Sequence, residues 1–128
     1  MVEFHPAAMM LGSDFRPRWP YSGGGAALPS DGVTDYVAGS GDGLLHGAEY
    51  QTGVEDFVNP HVAWEFTWGI ADVVTAFLDA GLALEALREW PYSNGCTFFP
   101  GMRQEGRRFR APAGIADFPL MYGIAARR

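Results

Sequence analysis

Three histidines and one cysteine are the side chains of this sequence best suited to acid–base or nucleophilic chemistry. His5 stands beside Pro6, where it could line a ligand site or handle a proton, since histidine titrates near neutral pH. A histidine satisfied by loop backbone is an equally weighted alternative. His46 and His61 have no second pair of ligands at metal spacing, so we expect no metal site. Cys96 lacks any signature of an oriented base, which favours an inert thiol.

Aromatic side chains form a second set of candidates. Trp68 stands at the start of a predicted helix and Tyr92 follows a predicted strand, so both would lie on one rim of a sheet. Trp19 and Tyr21, from a long loop, could close over them and complete an aromatic pocket for a small molecule. With His5 these four make up the expected substrate site. The alternative for each aromatic is that it only anchors the loop.

A glycine-rich run, Gly39-Ser40-Gly41-Asp42-Gly43, suggests a phosphate-binding loop at first sight. Such a loop should follow a buried strand and open a helix. The residues before it form only a weak strand pattern, and those after it do not start a helix. We therefore expect an ordinary loop and no cofactor-binding residue in this run.

The 128 residues carry a formal charge of −6, which disfavours a general nucleic-acid-binding domain. All nine basic residues are arginines, and four of them cluster at Arg103, Arg107, Arg108 and Arg110. A solvated hairpin is the favoured interpretation of this cluster, and a local phosphate or RNA patch is the alternative. One cysteine excludes an internal disulfide and fits a reducing compartment. With no signal-peptide pattern and no run of 18 apolar residues, we expect a cytoplasmic protein without membrane contact.

The elements that must position these residues follow from the apolar pattern. Met1–Phe4 is strand-like, and Ala7–Leu11 could extend it or form a helical turn. Gly12–Asn59 has the composition of a long lid or substrate loop. A helix is predicted from an apolar stripe with helical spacing, with Thr67 as its N-cap and Gly81 as its left-handed end; the stripe consists of Ile70, Val73, Val74, Phe77 and Leu78.

Beyond that helix the pattern changes to shorter elements. Leu82–Trp90 is predicted to be a strand, Tyr92–Gly95 a turn, and Phe98–Pro112 a hairpin turning near Glu105-Gly106. The last element, Phe118–Ala126, is a predicted buried strand. Its Leu120, Tyr122 and Ile124 face one way, and its Met121, Gly123 and Ala125 face the other. A helix between strands, joined by a tight glycine turn, is typical of an α/β sheet.

Several stretches, in order, resemble the C-terminal part of bacterial class I S-adenosylmethionine-dependent methyltransferases. The resembling stretches are Phe4-His5-Pro6, Trp19-Pro20-Tyr21, Gly32 to Gly43, Glu65 to Ile70 continuing through Val74 to Leu82, Pro91 to Gly95, and Pro119-Leu120-Met121-Tyr122. In that family they correspond to the end of the fifth strand, the loop inserted after it, the last large helix, and the sixth and seventh strands. Many relatives have Trp-Asn-His-Ser where this chain has Phe66-Thr67-Trp68-Gly69, so no catalytic histidine is carried over.

The resemblance implies a Rossmann-like α/β fold with an antiparallel last strand. It also implies one partial domain over 1–128, in which 1–11 are strand five and its extension, 12–63 the inserted loop, and 64–128 the last helix and final two strands. Since the resemblance starts within strand five, we expect the donor-binding half to be missing and this chain to be inactive alone.

Two functions remain open. The first is the acceptor side of a methyltransferase for a small molecule, with S-adenosylmethionine bound elsewhere and the catalytic residue unknown. The alternative is a non-catalytic ligand-binding or regulatory module that self-associates through the open sheet edge at Met1–Phe4. An unrelated small α+β domain would require the collinear resemblance to be accidental.

Overall fold

The computed structural model describes residues 1–30 and 60–128. Its described strands are β1 (Val2–Phe4), β2 (Ala27–Ser30), β3 (Ala63–Phe66), β4 (Ala83–Trp90), β5 (Ser93–Asn94), β6 (Arg103–Glu105), β7 (Arg108–Arg110) and β8 (Met121–Arg127). The described helices are α1 (Pro6–Met9), a single turn, and α2 (Ile70–Asp79). Within this part of the chain, no helix is both long and apolar enough to cross a membrane.

The largest described sheet has the order β1-β8-β4, with β8 in the centre and antiparallel to both neighbours. Leu120, Tyr122 and Ile124 are all nearly inaccessible to solvent, which confirms the prediction of a buried last strand, although β8 begins at Met121 rather than Phe118. Gly123 makes room for the ring of Trp90 on the neighbouring strand, because a Cβ there would lie 2.8 Å from its Cη2. The predicted strand at 82–90 is also confirmed, with a register irregularity between Leu84 and Ala86.

The predicted Rossmann-like α/β fold is wrong. The described strands form three small sheets, and every ladder among these strands is antiparallel. Within the described residues, α2 is the one helix longer than a turn. A doubly wound parallel sheet needs helices on both faces, and one ten-residue helix cannot supply them. The strand–helix–strand order was predicted correctly, but element order does not specify which strands pair.

The start of α2 also differs from the prediction. Its N-cap is Gly69 rather than Thr67, and the backbone N–H of Gly69 donates to Oδ2 of Asp72 at 2.9 Å. Thr67 lies two residues earlier, outside the helix, and its hydroxyl is buried without a hydrogen-bond partner among the described residues. The predicted end is confirmed, since Gly81 follows the helix with φ = 74°.

The segment Gly12–Asn59, predicted as one long loop, contains the strand β2 in its described part. Ala27 pairs with Phe66 and Ser30 with Ala63, so β2 forms an antiparallel ladder with β3, which follows Asn59. Residues 31–59, with the glycine-rich run Gly39–Gly43 and His46, lie outside the described residues. Little in the amino-acid pattern indicates β2, because Pro29 and the preceding glycines are typical of a turn.

The C-terminal excursion forms a third sheet of order β5-β7-β6. The hairpin predicted near Glu105-Gly106 is confirmed, with Gly106 at φ = 63°, whereas the predicted turn at 92–95 includes the two-residue strand β5. Just before this hairpin, Phe99 enters the core with Ala8 and Leu120, and the half-buried residues packed against it are Leu11, Phe15, Phe98, Met102 and Phe118. The core therefore joins α1 to the excursion and to the start of β8.

Candidate functional site

A cleft of about 460 Å³ opens between β1–α1, the segment at 19–21, the β2–β3 ladder and the start of α2. Its walls are rich in aromatic rings, which come from five separate parts of the sequence: Phe4, Trp19, Tyr21, Phe66, Trp68, Phe98, Phe99 and Tyr122. Volume and lining are typical of a site for a small organic molecule. Three of the five residues that the sequence suggested for substrate binding, Trp19, Tyr21 and Trp68, lie on this cleft.

Tyr21 is fixed at the mouth of the cleft by the start of α2. Its hydroxyl accepts a hydrogen bond from the backbone N–H of Ile70 at 3.2 Å. Its ring lies directly over Gly69, where a Cβ would come within 2.6 Å of Cε1. Glycine at this position therefore lets the tyrosine ring lie flat against the helix N-terminus.

The neighbouring Ser22 reinforces this attachment. Its hydroxyl donates to Oδ2 of Asp72, the oxygen that also accepts the Gly69 N–H. A carboxylate at the third helical position compensates the unpaired N–H groups and the positive end of the helix dipole. Asp72 thus stabilises α2 and holds the 21–22 segment against it.

Trp19 and Trp68 also line the cleft. Backbone N–H groups of Arg18 and Trp19 both donate to the carbonyl of Met10, at 2.8 and 3.2 Å, which fixes the segment at the end of α1. Trp68 packs towards Gly25, whose virtual Cβ would lie 3.4 Å from its Cη2. Trp19 and Trp68 remain 49% and 47% exposed, so about half of each indole is available for contact.

The charged lining residues, within the described ranges, are two carboxylates, Glu3 and Glu65. Oε1 of Glu3 accepts the backbone N–H of Phe4 at 2.9 Å. Nearby, the buried Tyr122 has a pKa raised above its usual value, chiefly by burial and further by the charges of Glu3 and Tyr21. A neutral phenol and a carboxylate therefore share the β1 side of the cleft.

His5 does not line this cleft. Its Nδ1 accepts the Ala7 N–H at 3.0 Å, so the proton is on Nε2, which donates to Oε1 of Glu89 at 2.8 Å. The side chain is buried and serves as the N-cap of α1. Both ring nitrogens are used by the protein, which agrees with the alternative of a histidine satisfied by its surroundings.

Tyr92 lies apart from the cleft, beside the β5-β7-β6 sheet. The guanidinium carbon of Arg108 is 4.3 Å from the centre of its ring, and that of Arg110 is 5.9 Å away. Arg110 also pairs with Glu105 and Asp117. The tyrosine is thus covered by the protein's own cations, and the arginine cluster is partly neutralised as expected of a solvated hairpin.

The remaining chemical candidates form no constellation in the described part of the chain. No group of three or more histidine, cysteine or acidic side chains there is arranged to hold a metal. Cys96 is half-buried and takes part in no disulfide. Sequence reasoning missed Glu3, Phe66 and Tyr122, although alternation within the first and last predicted strands could have placed Glu3 and Tyr122 next to each other; the register pairs them directly.

No family model matches this chain, and no match emerges among curated proteins or solved structures. The methyltransferase resemblance therefore rests on the stretches quoted above.

The described residues do not fit S-adenosylmethionine. At the start of α2, where N–H groups could receive the donor's carboxylate, those of Gly69 and Ile70 are already bound by Asp72 and Tyr21. The carboxylate of Asp72 would also repel that of the donor. Gly23, Gly24 and Gly25 lead into β2 rather than into a helix. No donor contact is therefore assigned to these residues.

Proposed function

We propose that this chain provides the acceptor-binding side of an S-adenosylmethionine-dependent methyltransferase acting on a small molecule, with the donor held by other residues. One observation carries the proposal. The two family-like stretches around Trp19-Pro20-Tyr21 and Phe66-Thr67-Trp68-Gly69 are distant in sequence, yet they line the same cleft. Segments that would serve a common acceptor site are expected to meet in this way.

The role of the cleft in such a reaction is positioning. Rings fixed at Tyr21 and Trp68 restrict the acceptor to a few orientations, and a fixed orientation can contribute much of the rate enhancement of a transfer reaction. The hydroxyl of Tyr21 accepts a hydrogen bond from the Ile70 N–H, and the adjacent Ser22 donates one to Asp72. The ligand therefore does not have to order this ring. Such pre-organisation reduces the entropic cost of binding.

The proposal is tested in cells that naturally make the chain. Deleting its gene should remove the methylated form of one small metabolite and accumulate the unmethylated form, measured by mass spectrometry. The wild-type gene should restore the methylated form, and Trp68→Ala should not. Asp79→Asn, an exposed change outside the cleft, is the matched control and should restore it fully. Unchanged metabolite levels in the deletion strain would contradict the methyltransferase assignment.

A second candidate is a non-catalytic ligand-binding module, which is supported by an aromatic cleft among the described residues without a donor contact beside it. In calorimetry on this chain the two candidates agree. Both candidates predict that small aromatic compounds bind and that S-adenosylmethionine alone does not. The module, unlike the enzyme, predicts that the deletion leaves the methylated metabolite in place. Donor binding by the chain alone would overturn the assignment of the donor to other residues.

A further inference from the structure

We propose that the cleft selects organic cations, so that its ligand carries an ammonium or a similar positive group next to a small apolar body. This inference deepens the proposed function, on which it rests, by naming the acceptor as a molecule that carries a positive group. It combines two properties of the same cleft: exposed faces of electron-rich rings and a described lining whose charged residues are both carboxylates.

The rings supply the first half of the recognition. Trp19, Tyr21 and Trp68 lie around the mouth, and each keeps more than a third of its surface exposed. The face of an aromatic ring is negative, and tryptophan attracts a cation more strongly than tyrosine or phenylalanine does. Several rings around one opening are the arrangement with which proteins recognise substituted ammonium groups.

The carboxylates supply the second half. Glu3 and Glu65 both line the cleft, one on β1 and the other on β3. The lining contains no described lysine, arginine or histidine, so the described charges there would repel an anionic ligand.

Tyr92 provides an internal comparison. That ring also faces outward, but Arg108 and Arg110 of the chain already cover it at 4.3 and 5.9 Å. An aromatic face in this protein thus attracts a cation where the fold offers one. At the cleft the lining offers carboxylates instead, which leaves the rings of Trp19 and Trp68 for a cation from outside.

The test compares three soluble compounds of nearly equal size and different charge: benzylamine, which is protonated at neutral pH, benzyl alcohol and benzoate. Binding is followed by NMR at the indole N–H groups. We expect the signals of Trp19 and Trp68 to shift, while that of Trp90, which packs against Gly123 and does not line the cleft, stays in place. Benzylamine should bind about 3- to 30-fold more tightly than benzyl alcohol, and benzoate most weakly.

Variants assign the preference to the cleft. Glu3→Gln should reduce the affinity for benzylamine about 2- to 5-fold and leave benzyl alcohol unchanged, because an exposed carboxylate is screened by solvent. Asp79→Asn removes the same charge outside the cleft and should change neither affinity. Trp68→Ala should weaken both compounds, with circular dichroism confirming that each variant is folded.

Equal binding of benzylamine and benzyl alcohol at the cleft would overturn the cation preference and leave the proposed small-molecule function standing. Preferential binding of benzoate would likewise overturn it. If none of the three shifts Trp19 or Trp68, the inference is also wrong. The metabolite experiment then decides the proposed function independently, because it does not depend on the charge of the acceptor.

Discussion

The side chain of His5 contacts residues of several elements of the fold. Its ring is the N-cap of α1, its Nε2–H reaches Glu89 on β4, and it lies edge-on to Tyr122 at 5.8 Å between ring centres. These contacts connect α1 to the strands β4 and β8 of the main sheet. The residue belongs to the framework of the cleft rather than to its lining.

Replacing His5 by alanine should lower the free energy of unfolding by about 2 kcal/mol, because a cap and a side-chain hydrogen bond are both lost. His5→Asn keeps a capping acceptor and should recover about half of this loss. Denaturant titration measures both. Benzylamine affinity should stay unchanged in His5→Asn. If this variant were fully stable yet unable to bind benzylamine, His5 would have to be part of the binding site.

Tyr122 gives a pH-dependent prediction. Its pKa is raised by burial first and by Glu3 and Tyr21 in addition, so the folded protein favours the neutral phenol. The stabilising contribution is complete below the unfolded pKa of 10.0 and is lost as the pH rises through the higher folded pKa. The free energy of unfolding should therefore fall with pH in that alkaline window. Tyr122→Phe should remove this part of the slope, and a slope identical to wild type would contradict the assignment.

Thr67 carries a buried hydroxyl that has no partner among the described residues. Thr67→Val keeps the shape and removes that polar group, so we expect an increase of up to about 1 kcal/mol in the free energy of unfolding. Thr67→Ser keeps the hydroxyl and loses a methyl group, and it should destabilise instead. Destabilisation by valine, measured in the same denaturant titration, would mean that the hydroxyl is hydrogen-bonded.

At the scale of elements, the start of α2 is the part of the fold that shapes the cleft. Asp72 closes the helix N-terminus and binds Ser22, while Ile70 binds Tyr21. Leu78 of the predicted stripe is exposed, the rest of the stripe is half-buried, and no residue of the helix is fully buried. The contacts that close the N-terminus of α2 are also those that position the ring of Tyr21.

Gly69→Ala separates cleft geometry from stability. With φ = −69° the backbone accepts alanine, but the new Cβ would lie 2.6 Å from Cε1 of Tyr21 and displace the ring. We expect a change of about 1 kcal/mol or less in stability and a clear loss of benzylamine affinity. In a Tyr21→Ala background the same change should have no further effect on affinity. Equal losses in both backgrounds would show that Gly69 does not act through Tyr21.

At the scale of the whole molecule, the main described sheet has β1 and β4 at its two edges. Met1 exchanges backbone hydrogen bonds with Ile124 of β8, and the His5 N–H donates to the carbonyl of Leu120 just before β8, so by alternation the N–H groups of Val2 and Phe4 point away from β8. Phe4 donates to the side chain of its neighbour Glu3. Val2, 61% exposed, therefore presents the open position of this edge.

Self-association through β1 should appear as a concentration-dependent dimer in native mass spectrometry. Val2→Pro removes the outward N–H without touching the ladder to β8 and should abolish the dimer while the monomer stays folded. Val2→Thr retains the N–H and should still dimerise. A strict monomer in the wild type, or a dimer that survives proline, would contradict pairing at this edge.

The sequence by itself determined the elements whose signals are local. The apolar stripe and the closing glycine predicted α2, and Gly106 predicted the hairpin turn. Alternation placed Leu120, Tyr122 and Ile124 on one face of a buried last strand. The sequence also supplied three of the rings on the cleft. These patterns depend on near neighbours in the chain, so they can be read without knowing the fold.

Only the tertiary structure decided which strands pair and which side chains meet. The order of strands and helix suggested an α/β sheet, whereas the described ladders are antiparallel and β2 pairs with β3 across a long segment. In the tertiary structure His5 and Tyr92 lie outside the lining of the cleft, and Glu3 lies within it. Pairing and convergence depend on contacts between distant residues, whose free energies appear only when the chain is folded, and local patterns do not encode them.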